Sequence, residues 1–140
     1  MELKIFTDGG SINNPGPAAT AFVIYLDSKL FYKTSARIGN NTNNFAEYTA
    51  LVGALEWLIK NKPPGATQAV FNSDSNLMVN QLNGMFKVKN TAIREFVFKI
   101  RSLEQEFNLP LIYKHIPREQ NRLADSLVKK ALSTPVFSPA

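Results

Sequence analysis

The chain is 140 residues long and 44% hydrophobic, with a formal net charge of +5 and a pI near 9.6, which suits one compact domain with its own apolar core. It has no cysteine and a single histidine, His115, excluding disulfides, thiolate zinc sites, a cysteine nucleophile and any multi-histidine metal centre. A bound metal would therefore need oxygen ligands, pointing to magnesium, manganese or calcium.

Leu3, Ile5 and Thr7 alternate with Lys4 and Phe6, so the chain opens on a short strand running into Asp8. Gly9 to Pro17, with paired glycines and an Asn-Asn-Pro-Gly-Pro run, is expected to turn there. Ala18 to Leu26 predicts a buried second strand, Asp27-Ser28 a tight connection, and Lys29 to Ile38 a third strand, together an antiparallel meander. Gly39 to Asn44 is a polar turn cluster. From Phe45 to about Asn61, Tyr48, Leu51, Val52, Leu55, Leu58 and Ile59 follow helical spacing, stopped by Pro63-Pro64-Gly65.

Gln68 to Asn72 predicts a fourth strand running into Ser73-Asp74-Ser75, then a short helix from Asn76 to about Leu82 and a basic connector, Met85 to Asn90. Thr91 to Phe107 is helical, with Ile93, Phe96, Val97, Ile100, Leu103 and Phe107 in register. Pro110 to Ile116 predicts the fifth strand and Glu119 to Leu132 a last helix, with Leu123, Leu127, Val128 and Ala131 inward. The end, Ser133 to Ala140, carries two prolines and little pattern and is expected to be frayed.

This order implies an α/β fold: a five-stranded mixed sheet, its first three strands antiparallel, flanked by helices. Ligands of such open sheets bind beyond the carboxyl ends of the parallel strands. Asp8 and Asp74 both sit at predicted strand ends there. Glu47 shares the line of Leu51, Leu55 and Leu58 and should face the sheet, and Asp125 lies beside the buried stripe of the last helix. Each acid also has a local explanation: a turn opener for Asp8, helix entry for Asp74, a capping box with Asn44 for Glu47, and a pair with Lys129 for Asp125. Together they place four acids near one end of the sheet. Uncompensated, such a cluster raises its own pKa values and costs stability. Two divalent ions about 3.5–4 Å apart would relieve the repulsion and clamp the attacking and leaving oxygens of a phosphate.

The runs that carry these acids are Phe-Thr-Asp-Gly-Gly-Ser-x-x-Asn-Pro-Gly-Pro (6–17), Thr-Asn-Asn-x-Ala-Glu (42–47), Ser-Asp-Ser (73–75), Leu-Asn-Gly-x-x-Lys-Val-Lys-Asn (82–90) and Arg-Glu-x-Asn-x-x-Ala-Asp (118–125). In them the chain resembles type 1 ribonuclease H over residues 1 to 132, in a form lacking the basic protrusion. The resemblance implies a ribonuclease H-like fold and a metal site at Asp8, Glu47, Asp74 and Asp125 holding two Mg2+ ions, or Mn2+. It also implies cleavage of the RNA strand of RNA–DNA hybrids, leaving 5′-phosphate and 3′-hydroxyl ends. Asn14, Asn43 and Asn76 fall where the family contacts the minor groove, whose 2′-hydroxyls distinguish RNA from DNA. Thr42 corresponds to a residue that helps hold a DNA-strand phosphate, and Gly10 and Ser11 belong to the turn that lets the RNA strand come close.

The chain departs from many relatives between the two middle helices, where only Met85 to Asn90 replaces an extra helix and basic handle. The hybrid-binding cations there reduce to Lys87, Lys89 and Arg94, so weaker hybrid binding is expected, and Phe86 stands where Trp is usual. His115 has the spacing of a family histidine that assists proton transfer or product release. It lies, however, in Tyr-Lys-His-Ile-Pro, which reads as a strand end, and Arg118 in a freer turn is the alternative phosphate contact.

From residue 84 onward ten bases face five acids, a bias that suits a polyanionic partner. The expected protein is a metal-dependent endonuclease on RNA–DNA hybrids. Its rivals are a non-catalytic hybrid-binding module and a structure-specific DNA nuclease of the same superfold. No membrane contact and no obligate protein partner are expected, the chain being read as a monomer. Without an apolar run of roughly eighteen residues or a signal-like N-terminus, the expected location is the cytoplasm.

Overall fold

The alternation of Leu3 and Ile5 with Lys4 and Phe6 forms a strand, β1 (Glu2–Ser11), at the centre of a five-stranded sheet. The computed structural model describes residues 1–134. Two antiparallel neighbours follow in sequence, β2 (Gly16–Leu26) and β3 (Lys29–Asn41), then helix α1 (Asn43–Asn61) and β4 (Gln68–Ser73), parallel to β1. Helices α2 (Asn76–Leu82) and α3 (Thr91–Phe107) precede β5 (Leu111–His115), which joins β4 in parallel. A 3-10 turn, Arg118–Gln120, leads into α4 (Arg122–Ser133). The strand order is β3-β2-β1-β4-β5, the mixed sheet expected from the element order.

Strand alternation divides the packing between the two faces. Leu3 and Ile5 of β1 and Phe22 and Ile24 of β2 pack with Tyr48, Leu51, Leu55 and Leu58 of α1 and Ile100, Leu103 and Phe107 of α3 in the main core. Each large apolar side chain buried there contributes about 1.5–3 kcal/mol, so α1 is fixed against the sheet by its whole inner stripe. Tyr48 also donates its hydroxyl to buried Gln81 of α2 at 2.7 Å. Among the described residues the opposite face carries only α4, seated on Ala19 and Ala21 through Val128.

Several boundaries differ from the sequence expectation. Gly9, Gly10 and Ser11 are strand rather than turn, pairing with Thr20, Ala19 and Ala18, so Asp8 lies inside β1 opposite Ala21. Gly9 has a packing job: a Cβ there would meet the Ala46 carbonyl carbon at 2.3 Å and the Glu47 nitrogen at 2.5 Å. Its hydrogen lets α1 lie directly on β1. The third strand continues to Asn41, beyond the expected Ile38. α1 is capped by Thr42, whose Oγ1 accepts from the Phe45 amide at 3.1 Å; Asn44 is therefore not a cap, and Glu47 is free of a capping box. The last helix starts at Arg122, not Glu119, because Arg118–Gln120 winds as a 3-10 turn. Leu123 is exposed rather than inward, since α4 meets its alanine floor through Ala124 and Val128. α4 runs to Ser133, and residues 135–140 of the expected tail lie outside the described residues.

Candidate active site

The last parallel pair between β1 and β4 is Thr7↔Ser73. Asp8 and Asp74 are the next residues on each chain, so register alone sets two carboxylates side by side where the strands part. Glu47 enters from α1, whose second turn is held over this point by Gly9. Asp8, Glu47 and Asp74 each offer a carboxylate oxygen within 4.8 Å of the others. Ser75, which opens α2, accepts from the Met78 amide at 3.2 Å and holds the Asp74 turn. The donor set is all carboxylate oxygen, the chemistry of hard divalent cations.

The electrostatics agree. Burial, then the charges of Asp74 and Asp125, push the Asp8 carboxyl up from 3.8 to about 7. Burial, then Asp8 and Asp74, push Glu47 well above its ordinary value. Asp74 is raised by burial, against the opposing pull of Arg118 and an Asn121 hydrogen bond. Oε2 of Glu47 is enclosed and has no hydrogen-bond partner. An orphaned carboxyl oxygen facing two further carboxyl groups is a strong reason for a cation: it would satisfy the oxygen and favour the ionised forms that burial and repulsion oppose.

These acids line a cavity of about 720 Å³ with Gly10, Ser11, Asn43, His115, Arg118, Asp125 and Lys129. Asp125 shares this wall but stands outside the close trio; Lys129 Nζ lies 2.9 Å from one of its oxygens and Arg118 lies 3.6 Å from the other. Its local explanation, the pair with Lys129, is thus present within the cavity wall itself. His115 ends β5, as its Tyr-Lys-His-Ile-Pro context predicts, and is exposed.

The expected binding residues divide. Asn43 Oδ1 accepts from the Ser11 amide at 2.8 Å and its hydroxyl at 3.1 Å, and Asn14 Oδ1 accepts from the Asn43 amide at 2.8 Å. With each oxygen engaged, both side-chain amides are left with NH2 donors to offer a ligand. Asn76 is exposed at the start of α2, where its Oδ1 accepts from Asn80. Lys87 and Lys89 are exposed in the α2–α3 connector and do not line the acidic cavity.

Thr42 lines a different recess, about 360 Å³, with Pro15, Asn40, Asn44 and Asn90. It lies at the N-termini of both α1 and α3, where Asn90 caps α3 by accepting from the Ile93 amide at 3.1 Å. Two positive dipole ends and no acidic side chain make it a natural anion site.

Sequence reasoning missed three contributors. Asn90 closes the basic connector and the run at 82–90, but spacing gives it no role as the cap of a helix beside Thr42. The i, i+4 spacing pairs Lys129 with Asp125 but does not show that Lys129 walls the cavity. Asn121 is 1% exposed and donates from Nδ2 to the Thr7 carbonyl at 2.9 Å, tying the start of α4 to β1. Its position within the Arg-Glu-x-Asn run was a signal, but spacing could not reveal its burial.

Residues 6–131 match the family model described as reverse transcriptase-like. The bifunctional protein Rv2228c of Mycobacterium tuberculosis is 34% identical over all of this chain, which spans 38% of that relative's length. Ribonuclease HI of Halobacterium salinarum is 35% identical over 93% of this chain and 64% of its own length. Among solved structures, LC11-RNase H1 in complex with an RNA/DNA hybrid superposes with a TM-score of 0.87 at 40% identity, covering 93% of this chain and 96% of that one.

Proposed function

Because the chain belongs to the type 1 ribonuclease H family, we propose that it is a metal-dependent endonuclease hydrolysing the RNA strand of RNA–DNA hybrids to 5′-phosphate and 3′-hydroxyl ends. The observation that carries this reading is the trio Asp8, Glu47 and Asp74 within 4.8 Å, with the enclosed Glu47 oxygen unpartnered. These residues would hold one divalent cation, and Asp8 with Asp125 would hold a second, Mg2+ or Mn2+. Bound there, the cations would supply Lewis-acid activation of water and neutralise charge on the phosphodiester.

The chain's own residues do the rest. Free NH2 donors of Asn14 and Asn43 would meet minor-groove acceptors and the 2′-oxygens that only the RNA strand carries. Asn76 would extend that row, with Gly10 and Ser11 forming the β1 backbone along which the RNA strand lies. Thr42 and Asn90 would seat a phosphate of the DNA strand at the paired helix N-termini. Lys87 and Lys89 would contact the backbone more distantly, giving salt-dependent affinity weaker than in handle-bearing relatives. Arg118, facing the acids from the cavity wall, would contact the scissile phosphate, while His115 on the rim is the alternative proton carrier. Residues 1–132 would form the ribonuclease H domain, acting as a monomer in the cytoplasm. Among the described residues no helix is long and apolar enough to cross a membrane.

The test is cleavage of RNA–DNA hybrid, duplex DNA and duplex RNA with and without magnesium. Metal-dependent cutting of the hybrid's RNA strand is expected. Binding without cutting would instead favour a recognition module, and cutting of duplex DNA a different nuclease.

A further inference from the structure

Arg37 belongs to the edge strand β3, yet its guanidinium reaches the far end of α4. Nε donates to the Ala131 carbonyl at 2.8 Å and Nη2 to the Leu132 carbonyl at 3.0 Å, with a further bond to the Thr134 carbonyl. These carbonyls belong to the last turn of α4 and its cap, where orphaned acceptors and the negative dipole end favour a cation.

An irregularity in β3 aims this side chain. Pairing with β2 steps from Ala18↔Gly39 to Ala19↔Arg37, so Ile38 is an extra residue, a bulge. Gly39 takes a φ of +78° although a Cβ there would meet nothing within 4 Å, so the glycine serves the backbone turn rather than close packing. Asn41 Nδ2 donates to the Ile38 carbonyl at 3.0 Å and satisfies the displaced backbone. Bulges of this kind re-aim side chains beside active sites.

Apart from these ties α4 rests on shallow packing, in which partly buried Leu127, Ala131 and Leu132 accompany its fully buried residues. Its buried side chains are Ala124 and Val128, and the floor beneath is Ala19 and Ala21. Asn121 pins its start to Thr7. Asp125 and Lys129 lie between these two pins, on the cavity wall.

We propose that Arg37, aimed by the Ile38 bulge, is a positioning residue that clamps the C-terminal end of α4 and so sets where Asp125 and Lys129 stand. The inference rests on the ribonuclease H reading for its catalytic consequence but not for the clamp itself. In Arg37→Ala, amide exchange across residues 122–133 should accelerate on the order of tenfold while β1 and β4 keep their protection. Its kcat should fall on the order of tenfold with KM for the hybrid unchanged within about twofold, because misplaced catalytic groups lower turnover rather than binding. Calorimetry with Mn2+ on the metal-free variant should show weaker binding. Arg37→Lys should recover part of each effect, and Gly39→Val, which keeps Arg37 but strains the bulge, should reproduce the alanine signature.

Unchanged exchange in α4, or faster exchange with wild-type kcat, overturns the proposal. So does exchange that rises equally through β1 and β4, since that marks general destabilisation. If the wild-type chain cuts no hybrid, the functional reading fails, and the exchange and Mn2+ measurements still decide the clamp.

Discussion

Glu47 and Asp125 face one cavity from helices held in opposite ways. α1 buries eight side chains, from Ala46 to Leu58, against the main core, and it touches β1 so closely that only glycine fits at position 9. α4 buries two, on an alanine floor, and is tied by hydrogen bonds of Asn121 and Arg37 at its ends. Glu47 is desolvated and unpaired at Oε2, whereas Asp125 already has two cationic neighbours. One carboxylate is placed by dense packing that leaves it electrostatically strained; the other is placed by polar ties that leave it compensated. Removing charge from the two should therefore have different consequences for stability, even where both abolish turnover.

The widest separation is expected between Glu47→Gln and Asp125→Asn. Each should lower cleavage on the order of a thousandfold if all four carboxylates serve the metals. In metal-free protein, Glu47→Gln should raise stability by about 1 kcal/mol at alkaline pH, where the unfolded chain ionises Glu47 but burial and the neighbouring acids oppose its ionisation in the fold. Asp125→Asn should stay within about 0.5 kcal/mol of wild type, because its exposed partners contribute little. Urea unfolding in chelator measures both, and equal shifts would erase the contrast.

The close approach of α1 is tested by Gly9→Ala. Overpacking against the Ala46 backbone should cost about 3 kcal/mol, at the upper end for an added methyl, because helix backbone cannot yield as a flexible side chain does. Gly10→Ala, whose Cβ would meet Val128 at an ordinary 3.7 Å, should leave stability nearly unchanged. A Gly9→Ala protein as stable as wild type would show that α1 is not rigidly seated.

A pH series sharpens the electrostatic half. Asp8 keeps its proton in the folded chain up to about 7, while an unfolded aspartate releases it near 3.8. Between those values the folded state binds more protons, so the metal-free protein should lose stability as pH rises through this window. Thermal melts in chelator should show Tm falling from pH 4 to pH 7, with Asp8→Asn flattening the slope. Saturating magnesium at pH 8 should raise Tm more than at pH 5. A flat profile in chelator would mean the acids are compensated without metal.

Smaller effects separate the polar wall from the caps. Arg118→Ala should lower kcat on the order of tenfold and His115→Ala about twofold, since the Arg118 guanidinium lies 3.6 Å from Asp125 whereas His115, equally exposed, makes no ion pair with the acids among the described residues. The reverse order would make the histidine the proton carrier. Thr42→Ala should cost about 1 kcal/mol through loss of the α1 cap, together with a raised KM for the hybrid.

Much of this was legible in the residues. Alternation and 3–4 spacing placed every strand and helix, because side-chain periodicity must match the one face each element buries. Their shared place at the carboxyl ends of predicted strands grouped Asp8 with Asp74, and the core line of Leu51, Leu55 and Leu58 indicated where Glu47 would point. Local spacing failed at Gly9-Gly10-Ser11. Paired glycines signal a turn by their conformational freedom, yet here they continue a strand whose missing Cβ receives a helix from elsewhere in the chain. It failed also for Leu123, where helical phase marks a residue as apolar-facing but not how wide a face the sheet offers.

The order of elements and the four candidate acids were legible in the sequence alone, since both follow from interactions between residues close in the chain or from chemical type. The tertiary structure decided what depends on residues far apart. Thr42 became a cap beside Asn90 rather than an isolated contact, Lys129 became a wall of the cavity, and buried Asn121 became a tie across 114 positions. Arg37 acquired a partner helix more than ninety residues away. The physical reason is common to them: a polar side chain has the same composition wherever it sits, and its role is set by which distant groups the packed core brings within hydrogen-bond reach.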